Sequence, residues 1–381
     1  MKNQQLENEI EAIERLLKRF KAGYQKRNIE EVEHFVANTF YNSSEVLVLG
    51  TGTGELEIGY DQIIELVKGD WQYWGDVELD TQEANIQVDG NIAWFYLPGH
   101  LVQSFQHSKE RNENYLNFVK DHLKDEQIKD EQKVALLNWV LTLTYHQRNQ
   151  VKRDYNWPLG MSGLVIKKND VWRIQQLHFA MGMGNYPDER IEHHIDFVEN
   201  NRLQNEKAKE YFGGLDKGSD MYSFLEKIQN NYTHITECIG EEGLFIGPRL
   251  EILSAEKLQS HLKNLELQSL SFHFDSCIHS EIDDKETVVL TGVACKQKNK
   301  EDRFRQGIEE MDAIFEKEMT VEDKLFQIHR SVSSILMETS SGDVYSWPFR
   351  VTAVLSKNQS SYQIESAHIS CPHYWIFEGK I

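Results

Sequence analysis

His178 and His368 stand 190 residues apart, and each follows an isoleucine, Ile174 or Ile364, by four positions. An imidazole changes charge near neutrality, so a histidine facing a cavity can accept and return a proton. Aromatic residues that could line such a cavity are Tyr24, Trp71, Tyr73, Trp74, Trp94, Tyr96, Tyr155, Trp157 and Trp347. An apolar hollow with a few polar groups is the usual form of a small-molecule site. The same residues fit a packed core, because aromatic side chains dominate cores. On an ideal strand Trp172, Ile174, Gln176 and His178 share one face, as do Tyr362, Ile364, Ser366 and His368. That parity predicts that each histidine lies on the core side of its strand.

The histidines belong to a longer repeat. Between 151 and 180, Tyr155, Trp157, Pro158, Lys167, Ile174 and His178 recur 190 residues later without a gap. Unrelated segments would share roughly two positions, seldom of the scarce types. A long internal period implies two copies of one unit, 1–190 and 191–381. Two diverged copies rarely both keep a catalytic group, so the repeat favours a structural histidine, hydrogen-bonded to a strand or helix end.

Each unit opens with helices. Leu6, Ile10, Ile13, Leu16, Leu17, Phe20 and Tyr24 form one stripe at helical spacing. Asn28 caps a second helix and Tyr60 to Lys68 form a third. Strands follow: Val77 to Val88, Ile92 to Phe105, Gly163 to Lys168 and Trp172 to Met181, with Asp89-Gly90 and Asn169-Asp170 as turns. Helices followed by an antiparallel sheet make an α+β fold. A helical insert at 107–150 interrupts the strands, and a second at 299–341 occupies the same place in the second copy. There Thr320-Val321-Glu322-Asp323 reads as a helix start.

This order of elements resembles the cone of the nuclear transport factor 2 superfamily. The run Gly163 to His178, with Trp172-Arg173-Ile174 after a tight polar turn, is similar to the end of SnoaL-like domains. The second copy departs from it, with Tyr362 for Trp and Gln363 for Arg. The resemblance implies a pocket between sheet and helices, and sheet-to-sheet dimers that a tandem chain can form internally. It implies no single chemistry, because the fold hosts isomerases, cyclases, hydrolases and non-catalytic modules. Two functions stay open. One is a catalytically unassigned protein that binds a small apolar or amphipathic ligand or serves as an interaction module. The other is an isomerase, cyclase or hydratase acting on a polyketide- or steroid-like molecule, with His178 as base. An isomerase of the ketosteroid type needs a carboxylate beside acidic donors. Tyr24 could donate, but Asp76, Asp80 and Glu83 fall on or near an exposed strand face.

Bulk properties exclude more than they assign. The net charge of -20 repels phosphate backbones and anionic lipid, so neither nucleic acid nor membrane is expected as a partner. No stretch has the length and apolarity of a span, and a cytoplasmic protein is expected. The four cysteines, Cys238, Cys277, Cys295 and Cys371, match no zinc spacing, and a reducing compartment suits them. No metal or cofactor is expected. Gly50-Thr51-Gly52-Thr53-Gly54 lacks the lysine of a phosphate loop and reads as a turn. His193-His194 reads as a solvated helix face.

Overall fold

The computed structural model describes residues 2–105, 153–182 and 214–372, apart from short gaps at 53–54, 74, 231–233, 268–269, 283–284, 298, 341–342 and 359–360. It also describes scattered positions within 113–133 and 206–210. The insert at 107–150, the boundary near 190 and His193-His194 therefore fall largely outside the described residues.

The first half starts with α1 (Lys2–Lys26), α2 (Val32–Thr39), β1 (Leu47–Leu49), β2 (Leu56–Ile58) and α3 (Tyr60–Tyr73). It continues with β3 (Asp76–Leu79), β4 (Asn85–Asp89), β5 (Ile92–Phe105), β6 (Arg153–Lys168) and β7 (Val171–Met181). The segment expected as one strand from Val77 is two, β3 and β4, broken at Asp80, whose carboxylate accepts from the Gln82 amide at 3.0 Å. Both pair with β5, at different stretches. Asn169 and Asp170 turn the last hairpin with φ of 51° and 60°, a left-handed pair that Asn and Asp tolerate better than most residues.

The second half runs α4 (Asp220–Asn230), α5 (Ile235–Cys238), β8 (Ile239–Ile246), β9 (Ile252–Leu253) and α6 (Ala255–Leu267). β10 (Leu270–Ile282) and β11 (Lys285–Gln297) follow, then the helical hairpin α7 (Lys300–Phe315) and α8 (Val321–Ser340), then β12 (Val344–Asn358) and β13 (Ser361–Ser370). The insert expected at 299–341 is this hairpin. Asn299 caps α7 by accepting from the Glu301 and Asp302 amides, and α8 begins one residue after Thr320.

The architecture is α+β, with two sheets of order β2-β1-β7-β6-β5-β3, β4 also on β5, and β10-β11-β12-β13-β8-β9. The sheets are mixed, not purely antiparallel: β1 pairs parallel with β7 and β8 parallel with β13. A short strand that precedes the sheet in sequence reaches its far edge only by a crossover.

Each sheet buries one face under its own helices. Ile13, Leu17, Phe20 and Tyr24 of α1, Phe35 of α2 and Trp71 of α3 pack against Phe95, Met161, Trp172 and Phe179. In the second half Met221, Leu225, Leu258 and Leu262 pack against Val288, Leu290, Leu355 and Ile364.

The opposite faces meet across the halves. Ile92, Trp94, Tyr96, Leu164 and Ile166 pack against Leu244, Ile246 and Val354. Leu47, Leu49, Leu56 and Ile58 pack against Ala208, Ile278 and Val289. Polar contacts cross the same seam: Gln87 Nε2 donates to the Glu242 carbonyl at 2.7 Å, and Lys285 Nζ lies 2.7 Å from Asp89 Oδ2.

Candidate functional site

The two histidines do not face their cores. A β-bulge at Gln175 inserts one residue opposite Leu164/Val165, and another at Glu365 does so opposite Val354/Leu355. An extra residue reverses the alternation of side chains beyond it. Trp172 and Ile174 therefore point to the helices, as do Leu177, Phe179 and Met181, while His178 points the other way. The parity read from an ideal strand is overturned by this bulge, and by its counterpart for His368.

His178 and His368 meet between the sheets, their ring centroids 4.2 Å apart. Both are buried, at 0% and 1% exposure. His178 Nδ1 lies 3.0 Å from Thr352 Oγ1 and its Nε2 lies 2.7 Å from Ser370 Oγ. His368 Nδ1 lies 2.7 Å from Ser162 Oγ. A neutral imidazole donates from one nitrogen and accepts at the other, and a hydroxyl can take either part. The contacts are exchanged: Ser162 pairs across β6 and β7 with His178, yet bonds His368. Thr352 pairs across β12 and β13 with His368, yet bonds His178.

One position breaks the exchange. Ser370 gives His178 its second partner, and the residue 190 places earlier is Ala180. His368 Nε2 accordingly has no hydrogen-bond partner among the described residues. Tyr96 lies edge-on to the His368 ring, with centroids 6.2 Å apart.

The electrostatics suit neutral rings. Burial holds His178 well below the usual histidine range, and His368 and Arg350 press it the same way. Burial brings His368 down to about 3. Arg350 is itself 2% exposed, and its Nη1 donates to the Gly50 carbonyl at 2.9 Å. Burial lowers it to about 10 against the pull of Glu55.

The turn that Arg350 reaches is the glycine-rich run. Glu55 closes it, its carboxylate accepting from the Gly52 amide at 2.7 Å. Glu251 does the same for the Arg249 amide at 2.8 Å in the second half, where Tyr96 Oη donates to the Leu250 carbonyl at 2.9 Å. In each turn the chain's own carboxylate thus occupies one amide, Gly52 or Arg249, that a phosphate could have used.

Trp94 and Trp157 do not converge on this place. Trp94 lies on the same seam and donates from Nε1 to Gln87 Oε1 at 2.6 Å. Trp157 packs at the edge of the first core. Tyr155 and Trp347 occupy strand positions opposite Gln103 and Ala294, and their side chains are outside the described part.

Tyr24 lies inside the first cone, stacked on Phe20 with centroids 4.8 Å apart. Its hydroxyl donates to Asp70 Oδ2 at 2.8 Å. Burial, then the Asp70 charge, push the phenol well above its ordinary range. Asp70 is thus a carboxylate beside an aromatic cluster, missed because α3 runs past Lys68 to Tyr73. Phe35 and Trp71, whose rings pack edge-on or tilted against this cluster, line a surface cleft of about 380 Å³ with Arg19, Lys26 and His34. A smaller cleft of about 250 Å³ lies beside Arg15, Trp172 and Arg173. Of the aromatic residues that the sequence offered for a pocket, Trp71 lines the larger cleft.

The second cone holds a further polar group. Glu286, 8% exposed, accepts from Tyr362 Oη at 3.0 and 3.1 Å, and its Oε2 lies 2.8 Å from His279 Nε2. Burial and the Glu286 bond push Tyr362 up to about 12. His279, Glu281 and Glu286 form a set of metal-type donors within 4.8 Å of one another. The imidazole and carboxylate that would face an ion face each other instead.

The sequence of the first half carries a family signal. Residues 13–120 match the family model of the SnoaL-like domain. This match covers well under half the chain and lies wholly in its first half. No curated protein sequence matches the chain.

Similar solved structures come from the nuclear transport factor 2-like group. A superfamily member from Salmonella enterica serovar Typhimurium is 16% identical, with 46% of this chain set on 93% of that one at a TM-score of 0.30. A proposed dehydratase of the family from Streptomyces avermitilis is 7% identical, with 47% of this chain on 99% of that one at 0.31. A protein with a cystatin-like fold from Novosphingobium aromaticivorans is 10% identical, with 48% on 88% at 0.30.

Proposed function

We propose that the chain is a tandem SnoaL-like protein, its halves diverged copies joined sheet to sheet as an internal pseudo-dimer. In this reading it is an interaction module and not an enzyme that uses His178. The observation that carries it is the exchanged contact between His178 and His368. A general base must reach its substrate's proton. His178 has no exposed surface, and both ring nitrogens are engaged by hydroxyls of the other half. Its depressed proton affinity also suits a ring that stays neutral. The matching element order and the bulges at Gln175 and Glu365, 190 residues apart, support the copy reading.

The experiment replaces His178 by Gln in the full chain and follows both melting and turnover on isomerase and dehydratase substrates. The expected result is a lower Tm, with any turnover of the wild type retained. Turnover lost from a variant that stays folded would overturn the reading.

A second reading rests on the cleft lined by Phe35 and Trp71, whose rings contact Tyr24 of the Tyr24–Asp70 pair. A small amphipathic ligand would fit there. Thermal-shift screening tests it, since a ligand at a hundredfold excess over its Kd adds about 2.7 kcal/mol. A Tyr24→Phe protein that binds the same compound equally well would separate the cleft from the pair.

A further inference from the structure

The hairpin of α7 and α8 carries more open apolar surface than any other described element. Phe304, Ile308 and Phe315 on α7 are 41%, 64% and 58% exposed. Leu325, Val332 and Leu336 on α8 are 50%, 36% and 54% exposed. Within each helix the three follow helical spacing, so each forms a stripe.

The two stripes share one face. The helices are joined by five residues and pack closely along a seam, where a Cβ on Gly307 would clash with Ile335 Cδ1. Arg303, Gly307 and Ile314 mark that seam on α7, and Ile335 and Thr339, both buried, mark it on α8. Counting along each helix, the stripe lies roughly 100° round from the seam on α7 and roughly 60° on α8, in the same rotational sense. In antiparallel helices the same sense brings both stripes to the same side. The result is a flat apolar face two helices wide.

Its size is close to that of an interface. Roughly 500–600 Å² of side-chain surface lies open there, at the upper end of the largest patch on a typical monomer. Each partner of a standard interface buries about 800 Å². The sheet faces cannot serve, because each half already covers the other's.

We infer that this face docks on the same face of a second copy of the chain. Two hairpins packed about a twofold axis make a four-helix bundle, a closed and self-complementary contact. Both copies are acidic, with a net charge of -20 each, so the contact is apolar and formed against charge repulsion. Salt screens that repulsion, and association therefore strengthens as salt rises. A basic partner would show the opposite dependence.

The inference rests on the interaction-module reading and names its partner. If association fails, that reading stands with another partner. If turnover depends on His178, that reading falls and the hairpin contact is untouched.

The test is sedimentation velocity of the full chain across the micromolar range, at low and high salt. The expected species has twice the chain mass of 44.6 kDa, and its Kd falls with salt. Ile308→Glu with Leu325→Glu is expected to weaken association at least tenfold with the Tm unchanged, both residues being exposed. Phe304→Ser with Leu336→Ser is the milder pair should the first lower the melting point, with the same loss expected. A wild type that stays monomeric throughout, weaker association at higher salt, or folded variants that associate as tightly as wild type would each overturn the inference.

Discussion

Ser370→Ala isolates the broken symmetry at the centre of the molecule. The substitution removes one oxygen, 2.7 Å from His178 Nε2, at a position 3% exposed. The ring nitrogen then loses its hydroxyl partner, as His368 Nε2 already has none among the described residues. Leaving a buried polar group unpaired costs about 1–3 kcal/mol. For a unit of this size, each kcal/mol moves the Tm by roughly 2–4 °C, so a fall of several degrees is expected. The converse variant is Ala180→Ser, which places a hydroxyl where the repeat predicts a partner for His368. It is expected to gain about 0.5–1.5 kcal/mol, the net worth of one hydrogen bond. The double variant moves the missing partner from one ring to the other and should melt close to wild type. Calorimetric melting of the four proteins reads the whole cycle. A Ser370→Ala protein that melts with wild type would refute the claim that these hydroxyls hold the sheets together through the histidines. Destabilisation by Ala180→Ser would show that the two rings are not equivalent under the repeat.

Further outcomes follow from the same contacts. Both histidines are held below 6.5, so each contributes stability that is complete above about pH 6.5 and lost as pH falls toward its folded value, about 3 for His368. For His368 linkage gives about 2 kcal/mol lost by pH 5, and His178 adds a loss of the same sign; equal urea midpoints at pH 7 and 5 would contradict it. Gly163→Ala should cost about 1–3 kcal/mol by overpacking, because its Cβ would meet the Gln176 carbonyl at 2.6 Å and the Phe95 ring at 2.7 Å; an unchanged Tm would show that β6 can shift. Tyr24→Phe should cost about 0.5–1.5 kcal/mol for the lost bond to Asp70, read by urea denaturation. Gly307→Val should open the α7–α8 seam at Ile335 and raise hydrogen exchange in both helices while the sheets keep their protection; exchange unchanged in α7 and α8 would count against that packing.

Local signals were enough for most elements. The stripe from Ile13 to Tyr24 needs only its spacing to predict a buried helix face, and all its members from Ile13 on are buried. Asn169-Asp170 names its own turn, because few other residues accept two left-handed positions. Asn299 and Thr320 mark the starts of the insert helices. The exchanged hydroxyls were also legible in principle, since Ser162 and Thr352 are a hydroxyl pair at the 190-residue period. Asp70 was not, because its partner Tyr24 lies 46 residues away on another helix.

What the chain alone determined is most of its helices and strands, though not where the strands from Val77 and before Gly163 break or begin, and where the 190-residue period places His178 and His368. Those follow from spacing, capping and turn chemistry, which act within a few residues. Which way the histidines face was decided only in three dimensions. A single unpaired residue, Gln175 or Glu365, reverses a strand's alternation, and whether a strand bulges depends on the register of its neighbour. The same holds for what the histidines touch. Thr352 and Ser370 lie 174 and 192 residues from His178, and only the packing of one sheet on the other brings them within a hydrogen bond.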